Sequence, residues 1–478
     1  MLDYETFLAS KRVQAVSSGI DVDLAEIHEK LFDWQKTIVQ WALKRGRSAI
    51  FADCGLGKSF MQCSWSDIVH KHTGGDILIL APLAVNPQTI SEGAKLGIEI
   101  HGCRSQIDVK PGINIANYEM LEHFDPRHFI GVVADESSIL KAFMGKTKRA
   151  LDEAFCDTPY KLACTATPSP NDHMELLNQA NWLGIMKSSE ALMRWFINDT
   201  MANGKYRLKG HAQKDFWEWV ASWAISLRKP SDIGFSNEGF ELPELRIHHQ
   251  YVETDITVGT ERIAQKTSNG LVVSQEQLIR MPTMSATTMH KEGRLTVEDK
   301  AQSVADLVNN STDIWVVWVN TNYEADAIRK LIPDAVEVRG SESIAIKEKK
   351  LTDFSNGKIR VIITKAKIAG FGLNWQHCHK MVYLPDYSFE KFYQAARRAY
   401  RYGQEHDVDI YIVAAETESN IVTTLSKKMR EHMQMQESMN SAALSGLAVK
   451  EDLQLEAYNP QLPMILPEWL HTQKGNVA

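Results

Sequence analysis

The sequence has 478 residues, enough for two domains with cores of their own, because single cores rarely grow past roughly 250–300 residues. Its formal net charge of −7 at pH 7 excludes a uniformly basic nucleic-acid binder, although a local basic track would suffice for binding. The six cysteines form no C-x-x-C pair, and no apolar run approaches the roughly 20 residues that span a bilayer. We therefore expect a cytoplasmic protein with free thiols, no zinc site and no membrane segment.

Two series of short apolar runs alternate with helical stretches along the chain. Near-continuous apolar runs of this length are typical of strands buried on both faces of a parallel sheet. Strands that alternate with helices indicate an α/β fold, and two series predict two lobes. The runs are 48–52, 77–81, 113–116, 130–134 and 161–164 in the first half, and 314–319, 335–338, 360–363, 381–384 and 408–413 in the second.

A different region separates the two series. Residues 175–230 hold five of the twelve tryptophans and little strand pattern, which we interpret as helices added to the first lobe. Proline and glycine residues after Leu227 then indicate a connector that continues as a hairpin or a helix pair. The expected domains are a first lobe at 1–235, a connector at 236–300, a second lobe at 301–430 and a tail at 431–478. We interpret the tail as a helix on the second lobe; the alternative is a partner-binding or brace segment.

The segment from Phe51 to Ser59 reads F-A-D-C-G-L-G-K-S, an apolar strand end followed by a glycine-rich loop. Small residues let backbone N–H groups surround phosphate oxygens, and a helix starting near Lys58 would point its positive end at the same charge. Lys58 would contact the β- and γ-phosphates of ATP, and the Ser59 hydroxyl would bind Mg²⁺. The predicted ATP-binding residues of this loop are Cys54, Gly55, Leu56, Gly57, Lys58 and Ser59, with no chemistry expected of the Cys54 thiol.

Two acids and one glutamine complete the predicted nucleotide site of the first lobe. Asp135 and Glu136 follow an apolar run, which places both at the carboxyl edge of a parallel sheet. Asp135 suits Mg²⁺, and Glu136 is placed to orient or deprotonate the attacking water. Gln35 lies 23 residues before Lys58, and its amide can read both the donor and the acceptor edge of adenine.

The second lobe carries Q-A-A-R-R-A-Y-R-Y-G-Q from Gln394 to Gln404. Gln394, Arg398 and Arg401 are spaced i, i+4 and i+7, which on a helix puts them on one face. Two guanidinium groups without a nearby acid favour an anionic target, so we expect Arg398 and Arg401 to neutralise charge on the transferred γ-phosphoryl group. The alternative is a solvated basic face. Gly403 is expected to end the helix.

With these residues the chain resembles the superfamily-two helicases, specifically the Swi/Snf-type ATP-dependent DNA translocases, from about residue 31 to residue 429. Residues 80–88 (L-A-P-L-A-V-N-P-Q) are similar to motif Ia of that family, and residues 116–121 (A-N-Y-E-M-L) to motif Ib. Thr165-Ala166-Thr167 resembles motif III, and residues 364–375 (T-K-A-K-I-A-G-F-G-L-N-W) resemble motif V. The arginine segment, which ends in Gly-Gln, is similar to motif VI.

The resemblance implies two RecA-like lobes with ATP between them and DNA crossing both. It implies an ATP contact from Gly372. The residues implied to couple hydrolysis to movement are Thr165, Ala166, Thr167, Gln394 and Gln404. The residues implied to contact nucleic acid are Pro82, Leu83, Asn117, Thr364 and Lys365.

Two positions depart from the family pattern. Ser137-Ser138 follows Glu136, at a place where the corresponding motif of the family usually ends in histidine. The departure concerns the route by which the nucleotide state would affect DNA binding. Arg397 stands where a small residue is common in motif VI, which leaves more than one arginine of this segment as a candidate for the phosphate contact. The chain is compact, which resembles the bacterial and bacteriophage members.

Lysines next to the catalytic acids form a candidate phosphate track. Lys141, Lys146 and Lys148 follow Glu136 closely, and Lys365 lies in the motif V segment. Such residues position a nucleic acid without reading its sequence; the alternative is a solvated face. Trp375 either stacks on a base or fills the core.

The sequence therefore predicts an ATP- and Mg²⁺-dependent DNA translocase or helicase acting in replication, recombination or repair. Its predicted polymer is double-stranded DNA, in the nucleoid of a bacterial or phage-infected cell, with phage or host replication and repair proteins as possible partners. The alternatives are an RNA helicase and a nucleic-acid-binding module that ATP switches without productive turnover. A motif VI that ends in Gly-Gln argues against the first, and the intact Lys58 and Glu136 argue against the second.

Overall fold

Two parallel β-sheets, one in each half of the chain, form the framework of the protein. The structure is a computed structural model that describes residues 14–82, 85–141, 145–199, 205–255, 262–266, 272–276, 286–369 and 374–448. Helices flank each sheet, so the predicted α/β fold with two RecA-like lobes is confirmed.

The first lobe is built on a seven-stranded sheet with the order β3-β4-β2-β5-β6-β1-β9, in which every pair is parallel. The strands of this sheet are β1 (Arg47–Ala52), β2 (Asp76–Ala81), β3 (Ile100–Gly102), β4 (Ile113–Asn117), β5 (Phe129–Asp135), β6 (Tyr160–Cys164) and β9 (Ala224–Leu227). The lobe also contains a separate antiparallel hairpin of β7 (Phe196–Asp199) and β8 (Lys205–Leu208). Its helices are α1 (Asp33–Arg45), α2 (Lys58–Thr73), α3 (Asn86–Lys95), α4 (Lys146–Ala154), α5 (Glu175–Leu183), α6 (Ser188–Trp195) and α7 (Gln213–Ala221).

The second lobe is built on a six-stranded sheet with the order β10-β17-β16-β13-β15-β14, again with parallel pairs. Its strands are β10 (Leu245–Val252), the separate hairpin β11 (Arg262–Lys266) and β12 (Val272–Glu276), β13 (Trp315–Trp318), β14 (Ala335–Glu337), β15 (Val361–Thr364), β16 (Lys380–Tyr383) and β17 (Val408–Ala415). Its helices are α8 (Ala286–Leu295), α9 (Val297–Asn309), α10 (Asn322–Leu331), α11 (Ile344–Ser355), α12 (Ala366–Ala369), α13 (Phe389–Ala396) and α14 (Ser419–Ala448).

All ten strands predicted from the apolar runs form, and all except the edge strand β14 bury side chains on both faces of the sheet. In β1, residues 48–52 are all buried, and Ile50 aligns with Cys164 of β6 on one side and Ile225 of β9 on the other. Continuous burial of this kind matches the continuous apolar pattern of the sequence.

The region between the two series is less helical than predicted. Helices α5, α6 and α7 are present, but the β7–β8 hairpin interrupts them, and β9 joins the edge of the first sheet. The segment expected to be a connector contains β10, which pairs with β17 along its whole length, so the second sheet already begins at Leu245. The hairpin β11–β12 confirms the hairpin option for this segment.

Helix α14 has 30 residues and lies across both lobes. Val422 and Leu425 pack into the core of the second lobe, whereas Met435 and Met439 pack into the core of the first. Between them, Lys428 donates to Oδ1 of Asn171 in the first lobe (3.1 Å) and to the carbonyl of Tyr387 in the second (2.9 Å). The prediction was a helix on the second lobe, with a brace or partner-binding segment as the alternative; its methionines pack on the first lobe, so the helix contacts both.

Within the described part of the chain, every helix is too short or too polar to cross a membrane.

Candidate active site

The glycine-rich loop has the predicted geometry. It follows β1, and α2 begins at Lys58 directly after Gly57, whose φ of 72° places it in the left-handed region. A Cβ on Gly57 would lie 2.5 Å from Nε2 of Gln35. A Cβ on Gly55, whose φ is 88°, would lie 2.9 Å from the backbone nitrogen of Tyr402. Only glycine fits these two positions, since each combines a positive φ with a close neighbour.

Lys58 and Gln35 both bind the loop itself. Nζ of Lys58 donates to the carbonyls of Ala52 (2.8 Å) and Asp53 (3.3 Å). Nε2 of Gln35 donates to the carbonyl of Leu56 at 3.0 Å, and its Oε1 accepts from the backbone N–H of its own helix start at 3.0 Å. Gln35 therefore braces the loop, and adenine recognition by this residue stays a prediction. Cys54 is half-buried against the core of the second lobe, a packing position rather than a chemical one.

The two acids lie where the sequence placed them, at the end of β5. Oδ1 of Asp135 accepts from Nε2 of Gln62 at 2.7 Å and from the backbone N–H of Glu136 at 3.1 Å. Burial raises the pKa of Asp135 to about 6, and the neighbouring Glu136 charge adds to that, while Gln62 and Lys58 oppose it. Asp135 is thus a buried carboxylate with one oxygen held by an amide.

Glu136 has an unusual backbone. Its φ of 52° makes it the one non-glycine residue with a positive φ in the part of the chain that the structure describes. Its carboxylate oxygen Oε2 accepts from the hydroxyl of Thr165 at 3.3 Å, and that hydroxyl in turn accepts from the N–H of Thr167 at 3.1 Å. The strained backbone and the threonine hold the carboxylate in one place, which is common for reacting groups.

The arginines of the second lobe lie beside this site, although not on a helix face. Helix α13 ends at Ala396, so Arg398 and Arg401 belong to the turns that follow, and Gly403 (φ 85°) ends no helix. The prediction of a common helical face with Gln394 is wrong, because the chain leaves the helix before Arg398.

The surroundings of the two arginines place them at the phosphate loop. Burial lowers the pKa of Arg398 to about 10; the Cys54 and Glu136 charges oppose this, and the Arg401 charge adds to it. A Cβ on Gly55 would lie 3.4 Å from the Cβ of Arg401. The loop of the first lobe and both arginines of the second therefore face one seam, although they are more than 300 positions apart in the sequence.

The threonine segment links Glu136 to the second lobe. Thr165 contacts Glu136, and Ala166 packs into the apolar core of the second lobe. Gln394 is half-buried on α13. Gln404 is buried, with Nε2 donating to the carbonyls of Cys378 and Ala399 (both 3.2 Å), so its amide braces the second lobe. Coupling by these residues stays a prediction, as does ATP contact by Gly372, which lies outside the described residues.

The site fits ATP and Mg²⁺. The loop offers backbone N–H groups and Lys58 on a helix start that carries no acid in its first turn, which suits phosphate oxygens. The Ser59 hydroxyl and the Asp135 carboxylate are hard oxygen donors of the kind that Mg²⁺ prefers.

Sequence reasoning missed several polar residues of the seam. Gln62 holds Asp135, and the hydroxyl of Tyr118 donates to the Asp135 carbonyl at 2.7 Å. Asp53 is 2% exposed and forms an ion pair with Arg397 across the seam. Asp53 and Arg397 could have been found from the sequence, because Asp53 is the first residue of the loop motif and Arg397 departs from the family pattern. No sequence pattern indicates Gln62 or Tyr118.

The nucleic-acid candidates do not form one open track. Lys141 pairs with Glu390 of the second lobe, and Lys148 is buried and pairs with Asp152 at 2.6 Å. We therefore withdraw Lys148 from the predicted track, since a buried ion-paired lysine is not presented to a phosphate. Lys146 is exposed on α4, as is Arg149.

The other candidates lie at strand ends. Asn117 accepts from the N–H of Glu119 at 3.4 Å and so begins a helical turn after β4, and Pro82 follows β2. Thr364 is buried at the end of β15, and Nζ of Lys365 donates to Asn322 at 2.7 Å. Leu83 lies outside the described residues.

Trp375 fills the core of the second lobe. It is fully buried, stacks on Trp318 with ring centroids 5.6 Å apart, and donates from Nε1 to Ser355 at 3.0 Å. Stacking on a base, one of its two interpretations, is wrong because neither ring face is accessible.

A cavity of about 890 Å³ lies behind the phosphate loop, where the connector and α14 meet. Its lining includes Asp53, Phe240, Arg397 and His432. Lys58 and Glu136 do not line it among the described residues, so it is distinct from the phosphate site.

No protein-family model matches the chain. A protein named p41 from Acyrthosiphon pisum secondary endosymbiont phage 1 is 24% identical over 400 residues, which are 72% of this chain and 82% of that protein. Among solved structures, the Sulfolobus solfataricus SWI2/SNF2 ATPase core in complex with dsDNA is 15% identical with a TM-score of 0.41, and the match covers 92% of this chain and 100% of that one. Both likenesses are too distant to assign a function, which must be argued from the site.

Proposed function

We propose that this chain is an ATP-dependent DNA translocase or helicase that couples ATP hydrolysis to movement along duplex DNA in replication, recombination or repair. The observation that carries the proposal is the seam: Lys58 and Glu136 of one lobe and Arg398 of the other lie around one glycine-rich loop. A site divided between two lobes is completed or broken by their relative movement, which is what a motor requires.

The loop would bind the triphosphate. Lys58, which now donates to two loop carbonyls, would exchange them for phosphate oxygens, and the N–H groups at the start of α2 would hold the rest. Ser59 and Asp135 would hold Mg²⁺, which would neutralise phosphate charge.

Glu136 would handle the attacking water. Its carboxylate is fixed by Thr165 and by the backbone of the residue itself, so it can accept a proton or orient the water without searching for a position. Arg398 and Arg401 would stabilise the charge that spreads over the transferred phosphoryl group, but only when the second lobe is in place.

Thr165-Ala166-Thr167 would pass the state of the site to the second lobe. The Thr165 hydroxyl donates to the carboxylate of Glu136, and Ala166 packs in the apolar core of the second lobe. A displacement of Glu136 would therefore displace the contact that Ala166 makes with the second lobe. The choice of DNA over RNA rests on the sequence resemblance alone.

An ATPase assay with single-stranded DNA, duplex DNA and RNA tests the proposal, with Lys58→Ala as the inactive control. We expect hydrolysis that duplex DNA stimulates most and that Lys58→Ala abolishes. Equal stimulation by RNA would favour the RNA helicase, and absence of turnover on every polymer would favour the ATP-switched binding module. Triplex displacement beside forked-duplex unwinding then separates tracking from strand separation.

A further inference from the structure

Helix α13 carries the polar contacts that tie the second lobe to the first at two points. Glu390, Tyr393 and Arg397 are spaced i, i+3 and i+7 on this helix and its C-terminal cap, so they share one face. Each of the three side chains reaches a residue of the first lobe.

The first contact lies beside the catalytic acid. Oε1 of Glu390 accepts from the hydroxyl of Ser138 at 3.0 Å, and Oε2 accepts from Nζ of Lys141. Ser138 lies two residues after Glu136 and is 5% exposed, while the Glu390 side chain is 16% exposed. One carboxylate of the second lobe therefore fixes the segment that follows Glu136.

The second contact lies at the phosphate loop. Asp53 accepts from the hydroxyl of Tyr393 and from Nη2 of Arg397, and also from the N–H of Cys54 at 2.6 Å. Burial alone would lower the pKa of Arg397, but the Asp53 charge, together with smaller contributions from the neighbouring Tyr393, Cys54 and Tyr400 side chains, raises that pKa above its usual value. The Asp53 side chain is 3% exposed and that of Arg397 is 13% exposed, so removal of Arg397 would leave a buried, uncompensated charge on Asp53.

We propose that Glu390 and Arg397 are positioning residues that, through Ser138, Lys141 and Asp53, hold the second lobe where Arg398 and Arg401 meet the phosphate loop. This inference rests on the proposed function. It gives Ser138 a role at the position where the sequence departs from its family, and it gives Arg397 a partner at the other departure. The arrangement predicts that the two residues act on the rate of hydrolysis and not on ATP binding, because the loop and Lys58 belong to the first lobe.

Reversal of one ion pair tests the inference. We would compare Lys141→Glu, Glu390→Lys and the double variant at saturating ATP and duplex DNA, with Glu348→Lys on the exposed surface of α11 as the charge-matched control. Each single reversal should lower kcat about tenfold with less than a twofold change in KM for ATP, and the double variant should recover to within about threefold of the unmodified protein. Two residues that act independently would give no recovery, since unrelated defects add.

Arg397→Lys gives a second test that does not leave Asp53 unpaired. Lysine keeps the positive charge but lacks the planar guanidinium group with its fixed N–H donors. We therefore expect kcat to fall about threefold to tenfold at unchanged KM. An unchanged kcat would remove Arg397 from the proposed role.

A distance between the lobes supplies a readout without hydrolysis. Fluorescent labels on the exposed Cys156 of the first lobe and on a cysteine in place of the exposed Lys349 of the second would report their separation. The single reversals should lengthen it, and the double reversal should restore it. If the unmodified protein hydrolyses no ATP while these distances behave as stated, the proposed function fails and the positioning role survives. If hydrolysis is intact and the reversals change neither rate nor distance, the positioning role is refuted.

Discussion

At the scale of single residues, the Glu136 carboxylate is the most constrained group of the site. Glu136 adopts a φ of 52°, which costs an ordinary residue on the order of 1–3 kcal/mol and persists only where the surroundings impose it. Here Thr165 and the adjoining β5 impose it. The strain places one carboxylate at the seam, which argues for a role in the reaction instead of in stability.

Glu136→Gln should therefore keep ATP binding and lower the rate of hydrolysis by about 10²–10⁴-fold. Glutamine retains the size and an acceptor for Thr165 but cannot take up a proton. Binding would be measured by calorimetry and hydrolysis by phosphate release, with the exposed Glu122→Gln as control. Hydrolysis at the normal rate in the Glu136 variant would refute the role given to this residue.

The two arginines after α13 are expected to act on rate. Arg398 is buried close to Cys54 and Glu136, and Arg401 packs near Gly55. We expect Arg398→Ala and Arg401→Ala each to bind ATP almost normally and to lose about 10³-fold or more in kcat, because their target is charge on the transferred group. Single-turnover hydrolysis would measure this, and a full rate in either variant would remove that arginine from the site.

At the scale of elements, the central strands could be predicted from the sequence because burial on both faces leaves a continuous apolar run. Of the four edge strands only β14 was predicted; β3, β9 and β10 were not. In β10, half-buried and exposed positions mix because it lies at the sheet edge, and β9 has only four residues, so neither stands out from a connector.

The end of α13 could not be predicted either. Q-A-A-R-R-A-Y keeps a helical spacing, and nothing in those letters reports that the chain turns at Arg397. The turn is decided by tertiary contacts, with Arg397 held by Asp53 and the backbone N–H of Trp375 donating to the carbonyl of Arg398 at 2.9 Å. The chemistry of the site followed from its motifs; its geometry across the seam followed from contacts that single-chain patterns do not encode.

Helix α4 offers a matched test of the phosphate track. Lys146 and Arg149 are exposed on it, while Lys148 is buried against Asp152. The double change Lys146→Ala with Arg149→Ala should weaken stimulation by DNA and reduce the slope of log affinity against log salt by about 1–2. Lys148→Ala should leave that slope unchanged and lower stability instead. Filter binding at several salt concentrations measures the slope for both variants. An unchanged slope in the double variant would mean that α4 does not contact DNA phosphates.

At the scale of the whole molecule, α14 makes the folding stability sensitive to acid. His432 lies in the middle of this helix, 4% exposed, with its ring against Phe389 and Tyr393 at centroid distances of 5.1 and 5.3 Å. Burial lowers its pKa to about 4; the Asp53 charge opposes the shift, and the charges of Arg397 and Arg228 add to it. The folded protein therefore keeps this ring neutral.

The sign of the pH dependence follows. Between pH 6.5 and about 4, His432 is protonated in the unfolded chain but neutral in the folded chain. Proton binding therefore stabilises the unfolded chain, and the free energy of unfolding falls as the pH falls through this window. Fully buried, the group contributes at most about 1.4 kcal/mol per pH unit. Asp135 and Glu175, whose pKa values burial raises to about 6 and about 7, act in the opposite direction, so the effect must be measured as a difference between variants.

His432→Phe keeps a ring in the seam and removes the titration. We expect the loss of unfolding free energy between pH 7 and pH 5 to be smaller in this variant by up to ~2 kcal/mol, measured by denaturant unfolding at each pH. The exposed His211→Phe is the matched control and should follow the unmodified protein. Parallel pH curves for all three proteins would mean that His432 binds its proton equally well in the folded and unfolded chains, and α14 would then be no source of acid sensitivity.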